Sequence, residues 1–163
     1  METIKKYKFI SPSLFGIVVI CFFMSFFTVQ CSSSKVMTLN GTDLVFGKEI
    51  NMKNPMTGIN EVQKLSPNIW AIIPFVLSLI GAGLYFVNVN YKSLIILIIS
   101  VIGVISLFAL KNNLNNQIES QGGGMVSLSI SPQIGYYICI FGLIFTGLIN
   151  LLLYKENKKI NAS

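Results

Sequence analysis

The sequence predicts an all-α membrane protein, a four-transmembrane-helix bundle with a small extracytoplasmic antiparallel β-sheet, built as a single integral membrane domain over residues 1–163. Three observations carry that expectation. The chain is 53% hydrophobic and only 11% charged, whereas a soluble domain carries about a quarter charged residues. Its charges are spaced so that four long uncharged stretches lie between them. Its two longest polar segments show β-type patterning.

The uncharged stretches hold 26 residues between Lys8 and Lys35, 27 between Lys64 and Lys92, 18 between Lys92 and Lys111, and 35 between Glu119 and Lys155. Roughly 20 apolar residues cross the hydrocarbon core as a helix. Spans are therefore expected at about 12–31, 68–88, 93–110 and 135–154. Ser11-Pro12, Ser66-Pro67 and Ser131-Pro132 each read as a helix start, an N-cap hydroxyl followed by a proline whose missing N–H costs nothing in a first turn. Pro74 lies inside the second span, where it removes a helical bond and predicts a kink. Leu110, Leu114 and Ile118 continue the third span at i+4 spacing, the pattern of a helix that extends past its apolar part.

Orientation follows from lysine. Lys5, Lys6 and Lys8, then Lys92, then Lys155, Lys158 and Lys159 lie close to span ends on one side. Lys35, Lys48, Lys53, Lys64 and Lys111 are spread through the outer loops, about 32–67 and 111–134, among Asp43, Glu49, Glu61 and Glu119. The bias is read near span ends, so both termini are expected in the cytoplasm. The net charge of +6 is then explained by contact with anionic headgroups. With no arginine and its lysines flanking spans, the chain is not expected to bind nucleic acid. Tyr7, Trp70, Tyr91, Tyr136, Tyr137 and Tyr154 fall at span ends, where an aromatic belt would sit.

In the first loop, Val36–Leu39 and Thr42–Phe46 flank Asn40-Gly41. That pair is a hairpin signal, because a type I′ turn needs positive φ at both positions. In the second loop Val126, Leu128 and Ile130 alternate with Ser127 and Ser129 after Gly122-Gly123-Gly124. A third strand beside the hairpin is the expectation, since a lone hairpin buries too little to stand alone.

The stretch Phe26 to Gly47, with its V-x-C followed by V-x-T-x-x-G-x-x-L-x-x-G, resembles a loose group of small, uncharacterised bacterial four-span membrane proteins. Asn68-Ile69-Trp70-Ala71-Ile72 and Gly135-Tyr136-Tyr137 are similar to that group too. The layout also resembles claudin-type tetraspan proteins, which implies four spans and an outer sheet. The claudin first-loop tryptophan motif and cysteine pair are absent, so the likeness is one of architecture and implies no junction-forming role.

The spans carry no Asp, Glu, Lys, Arg or His, the groups that mark proton relays and ion paths. Ser25, Thr28, Ser78, Ser100, Ser106 and Thr146 are expected to bond to their own helices, and Asn150 to reach another helix or water. Gly81 with Gly83, Ser100 with Gly103 and Ser106, and Gly142 with Thr146 offer small-residue faces for close packing, inside the bundle or against a partner. No catalytic, metal-binding or cofactor-binding residue is assigned. With no histidine there is neither an imidazole base nor an ordinary zinc site.

Cys21 reads as apolar filler. For Cys31 and Cys139, free thiols are the preferred reading, and a disulfide between them or lipidation of Cys31 after signal cleavage are the alternatives. The functional expectation is a non-enzymatic integral membrane protein. It would be a small structural or accessory subunit that binds a membrane-protein partner, or its own copies, through the outer sheet or the small-residue helix faces. The alternative is a small channel or transporter for a neutral or apolar solute. A membrane enzyme using loop carboxylates ranks third.

Overall fold

The computed structural model describes residues 13–31, 34–53, 60–84, 86–87, 92–121 and 128–161. In chain order these form α1 (13–21), β1 (Ser25–Cys31), β2 (Ser34–Asn40), α2 (Gly41–Phe46), β3 (Lys48–Lys53), β4 (Asn60–Leu65), α3 (Ile69–Leu84), α4 (Lys92–Gln121), β5 (Leu128–Pro132) and α5 (Ile134–Asn161). The fold is mostly helical with small antiparallel sheets. Among the described residues, two helices are long and apolar enough to cross a membrane: α4 over Lys92–Gln117 and α5 over Ile134–Lys155. The third apolar helix, α3, has 16 residues, about 24 Å at 1.5 Å per residue.

The first expected span is corrected. Helix α1 ends at Cys21, and the chain tightens through Phe22–Met24 with i→i−3 bonds from Phe22 to Val19 (3.2 Å), Phe23 to Ile20 (3.0 Å) and Met24 to Cys21 (2.9 Å). Residues 25–31, read as the outer half of a span, are a strand instead. A short apolar run is ambiguous between helix and buried strand, and Phe26, Phe27, Thr28 and Val29 are aromatic or β-branched, types that suit a pleated surface. Tertiary partners decide. β1 is the central strand of a β2-β1-β5 sheet, antiparallel to both neighbours, with Val29 opposite Met37 on one side and Ile130 on the other.

The Asn40-Gly41 hairpin is also corrected. Val36–Leu39 is strand as expected, within β2, but Asn40 extends that strand and residues 41–46 are helix α2. Asn40 is extended, at φ −81° and ψ 160°, and its backbone N–H donates to Asp43 Oδ2 at 3.1 Å, one half of a capping box. Lys48 Nζ holds the same carboxylate oxygen at 2.9 Å. Asn serves as an N-cap as readily as it serves in a turn, so the dipeptide signal alone could not choose. The third strand exists as β5, yet it pairs with β1 and not with a hairpin. Val126 and Gly122-Gly123-Gly124 lie outside the described residues. A second sheet, β3 against β4, pairs Lys48 with Leu65 and Glu49 with Lys64 and was not foreseen.

Helix starts fall two residues later than the Ser-Pro reading places them. Asn68 caps α3, its Oδ1 accepting Trp70 N–H at 3.0 Å, and α5 begins after Gln133, whose carbonyl accepts from Tyr136 N–H at 3.1 Å. Ser131 and Pro132 close β5. Ser11-Pro12 lies outside the described residues. Helix α4 runs past Leu110 to Gln121 with Leu110 and Leu114 buried, the extension expected from their spacing.

The helices meet through small residues. A Cβ on Gly81 of α3 would lie 2.6 Å from the Phe15 ring of α1, and one on Gly142 of α5 would lie 2.8 Å from Val18 of α1. One on Gly103 of α4 would lie 3.0 Å from Leu143 of α5. Gly81, Gly103 and Gly142 therefore close on other helices of this chain, whereas Gly83 faces open space. Phe22 tilts against Phe26 (4.9 Å between centroids) and meets Phe75 edge-on (5.1 Å), while Phe27 tilts against Tyr136 (5.0 Å). These rings join α1, β1, α3 and α5 where the sheet sits on the helix ends.

Candidate interaction surface

The sheet end is built by β1. It follows α1 directly, while β5 leads directly into α5, so both strands are fixed by the helices they adjoin. Gln133 N–H donates to the Phe26 carbonyl at 2.8 Å, sealing that junction. Phe26, Phe27, Thr28, Val29 and Leu39 are buried. Among the described residues, β2 and β5 have no further strand on their far sides. Thr38 of β2 and Ser129 of β5 are exposed there.

Beside the sheet, a cleft of about 560 Å³ is lined by Leu44 of α2, Lys64 to Trp70 and the far end of α4, Asn113, Leu114 and Gln117. Asn68 organises it. Its N–H donates to the Leu44 carbonyl (2.8 Å) and its Nδ2 to Asn113 Oδ1 (3.0 Å), and the side chain is 9% exposed. One residue thus caps α3 and ties both α2 and α4 to it. Lys64 pairs with Glu49 at 3.1 Å, both well exposed, a pair worth about 0–1 kcal/mol.

The polar residues singled out in the apolar stretches behave mostly as local groups. Ser78 Oγ donates to the Pro74 carbonyl (2.6 Å), Ser100 Oγ to Ile96 (2.9 Å), Thr146 Oγ1 to Gly142 (2.8 Å) and Asn150 Nδ2 to Thr146 (2.8 Å). Each accepts its place by bonding one turn back along its own helix. Ser25 and Thr28 belong to β1 instead of a span. Of the aromatic belt, Trp70 and Tyr137 are exposed, but Tyr136 is buried and its hydroxyl donates to the Leu107 carbonyl at 3.2 Å. It is a core residue. Tyr7 and Tyr91 lie outside the described residues.

Cys139 is free, as the preferred reading has it, and the alternative Cys31–Cys139 disulfide does not form. Its fully buried thiol donates to the Val18 carbonyl at 3.6 Å, and it lies beside Cys21, also free and buried. Cys31 is held by backbone pairing in β1, opposite Ser34 and Leu128. The sequence carried no signal for the Cys21–Cys139 contact, because it depends on how α1 and α5 lie together.

Comparison of the chain with models of protein families, with curated proteins and with solved structures gives no match.

Proposed function

We propose that the chain is a non-enzymatic integral membrane protein of the bacterial inner (plasma) membrane, a small accessory subunit that binds a partner protein with its sheet end. In this reading α4 and α5 cross the bilayer, the shorter α1 and α3 pack beside them within it, both termini face the cytoplasm, and both sheets stand outside. The membrane placement is supported by the apolar surface. Only 39% of the best window of α4 and 33% of that of α5 is buried, and Ile102, Ile105, Phe108, Phe141, Phe145 and Leu152 face outward. A soluble core helix would bury such faces; lipid makes them comfortable. The side assignment rests on the lysine bias.

The observation that carries partner binding is the β2-β1-β5 sheet, whose outer strands have no further strand beside them among the described residues. An open edge offers unpaired N–H and C=O groups to an added strand. The closure of Gly81, Gly103 and Gly142 on neighbouring helices also turns attention from the helix faces to the sheet. Between the helices, Phe15, Val18, Ile96, Leu107 and Leu143 fill the interior, which favours a packed subunit over a solute path. The test is site-specific photocrosslinking in intact cells. A crosslinking residue at Thr38 or Ser129 should capture a discrete protein band, while one at Ile102 should capture lipid. A protein band at Ile102 with none at either strand would move the partner onto the helices and overturn this reading.

A further inference from the structure

Helices α4 and α5 run antiparallel, and their contacts give the register. Tyr136 meets Leu107, Gly103 meets Leu143, and a Cβ on Gly147 would lie 3.4 Å from Ser100 Cβ. Continued by whole turns, this register sets Lys92 and Ser93 level with Tyr154 and Lys155. Where Ser100 faces Gly147 the two side chains are too small to close the seam on its outer side. A groove of about 400 Å³ opens there, walled by Val101, Val104, Leu148 and Leu151, and Val101, Leu148 and Leu151 are each more than a third exposed.

The groove has a length and a charged end. From Leu143 to Leu151 it follows α5 for two turns and a little more, about 12 Å, close to the roughly 15 Å depth of one leaflet's hydrocarbon. Toward the end of α5, the stripe of Leu148 and Leu151 continues to Lys155 at helical spacing, and Lys155 is exposed. On α4 the stripe of Leu97 and Ser100 continues back to Ser93. Lys92 opens α4 at the same level, donating one ammonium proton to the Val87 carbonyl at 3.3 Å. Lys158 and Lys159 follow against a single acid, Glu156. An apolar slot about one leaflet deep thus ends at the level of Lys92 and Lys155, with Ser93 and Tyr154 beside them.

We infer that this groove is a binding site for one anionic phospholipid, with an acyl chain lying over Gly147 and Ser100 and the phosphate held at Lys155. The inference rests on the proposed crossing of the bilayer by α4 and α5. Charge complementarity selects the ligand: the mouth is basic, the walls are apolar, and a cytoplasmic leaflet supplies anionic headgroups at that depth.

The test uses the full chain in mild detergent, titrated with phosphatidylglycerol or phosphatidylcholine and read by native mass spectrometry. One phosphatidylglycerol should be retained at least about tenfold better than phosphatidylcholine. Leu148→Trp, which fills the groove from its exposed wall, should abolish that retention with an unchanged unfolding temperature. Lys155→Glu should weaken it about fivefold or more, and Lys111→Glu, the same charge change at the other end of α4, should leave it unaltered. Equal retention of both lipids, retention by Leu148→Trp, or equal loss in the Lys111→Glu protein overturns the site. So does a native dimer that Leu148→Trp disperses, which would make the occupant a second copy. Release of the chain from vesicles by alkaline carbonate would overturn the membrane reading itself, a separate result from loss of lipid selectivity.

Discussion

Gly41 separates two accounts of the same residue. In a type I′ hairpin it would need positive φ, and Asn would be tolerated there because Asn enters the left-handed region readily. In the structure the only described glycine with positive φ is Gly47, at 81°, and Gly41 is required for a different reason. It begins α2 under the turn that ends α1: a Cβ would lie 2.7 Å from the Phe22 carbonyl oxygen and 2.9 Å from Phe22 Cα. Backbone atoms cannot swing aside as a side-chain tip can. Gly41 and Thr42 also donate to the carbonyls of Met24 (3.3 Å) and Phe22 (2.8 Å), so a displaced α2 strains or breaks both bonds. Overpacking costs about 1–3 kcal/mol and each weakened bond about 1 kcal/mol, while Ala in place of Gly returns about 1 kcal/mol of helix propensity. Gly41→Ala should therefore destabilise by about 2–4 kcal/mol, roughly 5–15 °C in unfolding temperature for a chain this size. The assay is thermal unfolding in detergent, followed by near-ultraviolet circular dichroism. Gly16→Ala, where nothing lies within 4 Å of the added carbon, is the control and should be neutral or slightly stabilising. Gly41→Asn should be as damaging as Gly41→Ala. An Asn variant that unfolds with the native protein while the Ala variant does not would refute the docking argument and restore the hairpin.

On the proposed topology, reporter fusions after Lys8, at Tyr91 and after Lys159 should read cytoplasmic and one at Lys53 should read outside; a cytoplasmic Lys53 would sink the lysine argument. Gly81→Ala should cost about 1–3 kcal/mol because its carbon strikes the Phe15 ring, and Phe15→Leu in the same chain should recover part of that loss. Additive effects in that double-mutant cycle would show that the two residues do not share the contact. Asn68→Ala should lower stability by about 1–2 kcal/mol through loss of the α3 cap, with Asn68→Ser recovering more of it than Asn68→Leu. A membrane-impermeant maleimide should leave Cys21 and Cys139 unlabelled in the folded protein and label both in denaturant without reductant. A mass deficit of two hydrogens tying Cys139 to Cys31 would contradict their geometry.

Some of the candidate surface was legible before the fold and some was not. Alternation in Leu128–Ile130 named β5 correctly, because period-two patterning is local. Its partner was misplaced, since nothing near residue 130 shows that residues 25–31 form a strand. Asn68 was read as part of a span opening, and its bonds to Leu44 and Asn113 came from elements 24 and 45 positions away. Asp43 reads in the sequence only as one of the outer-loop acids, although an acid three residues after Asn40 is itself the mark of a capping box.

Taken alone, the sequence determined what can be summed along the chain: the low charge, the apolar stretches that became α4 and α5, the i+4 continuation at Leu110 and Leu114, and the strands at Val36–Leu39 and Leu128–Ile130. Each follows from propensity and burial of neighbouring residues, which need no distant partner. Tertiary structure alone decided that Ser25–Cys31 is the centre of a sheet, that Asn40-Gly41 opens a helix, and that Cys139 lies by Cys21. The physical reason is common to all three. Phe26 to Val29 satisfies helix or strand equally well until β2 and β5 supply backbone partners, and Asn-Gly suits a turn or a cap until Phe22 presses against it. Where two local solutions are nearly equal in energy, contacts from far along the chain select between them.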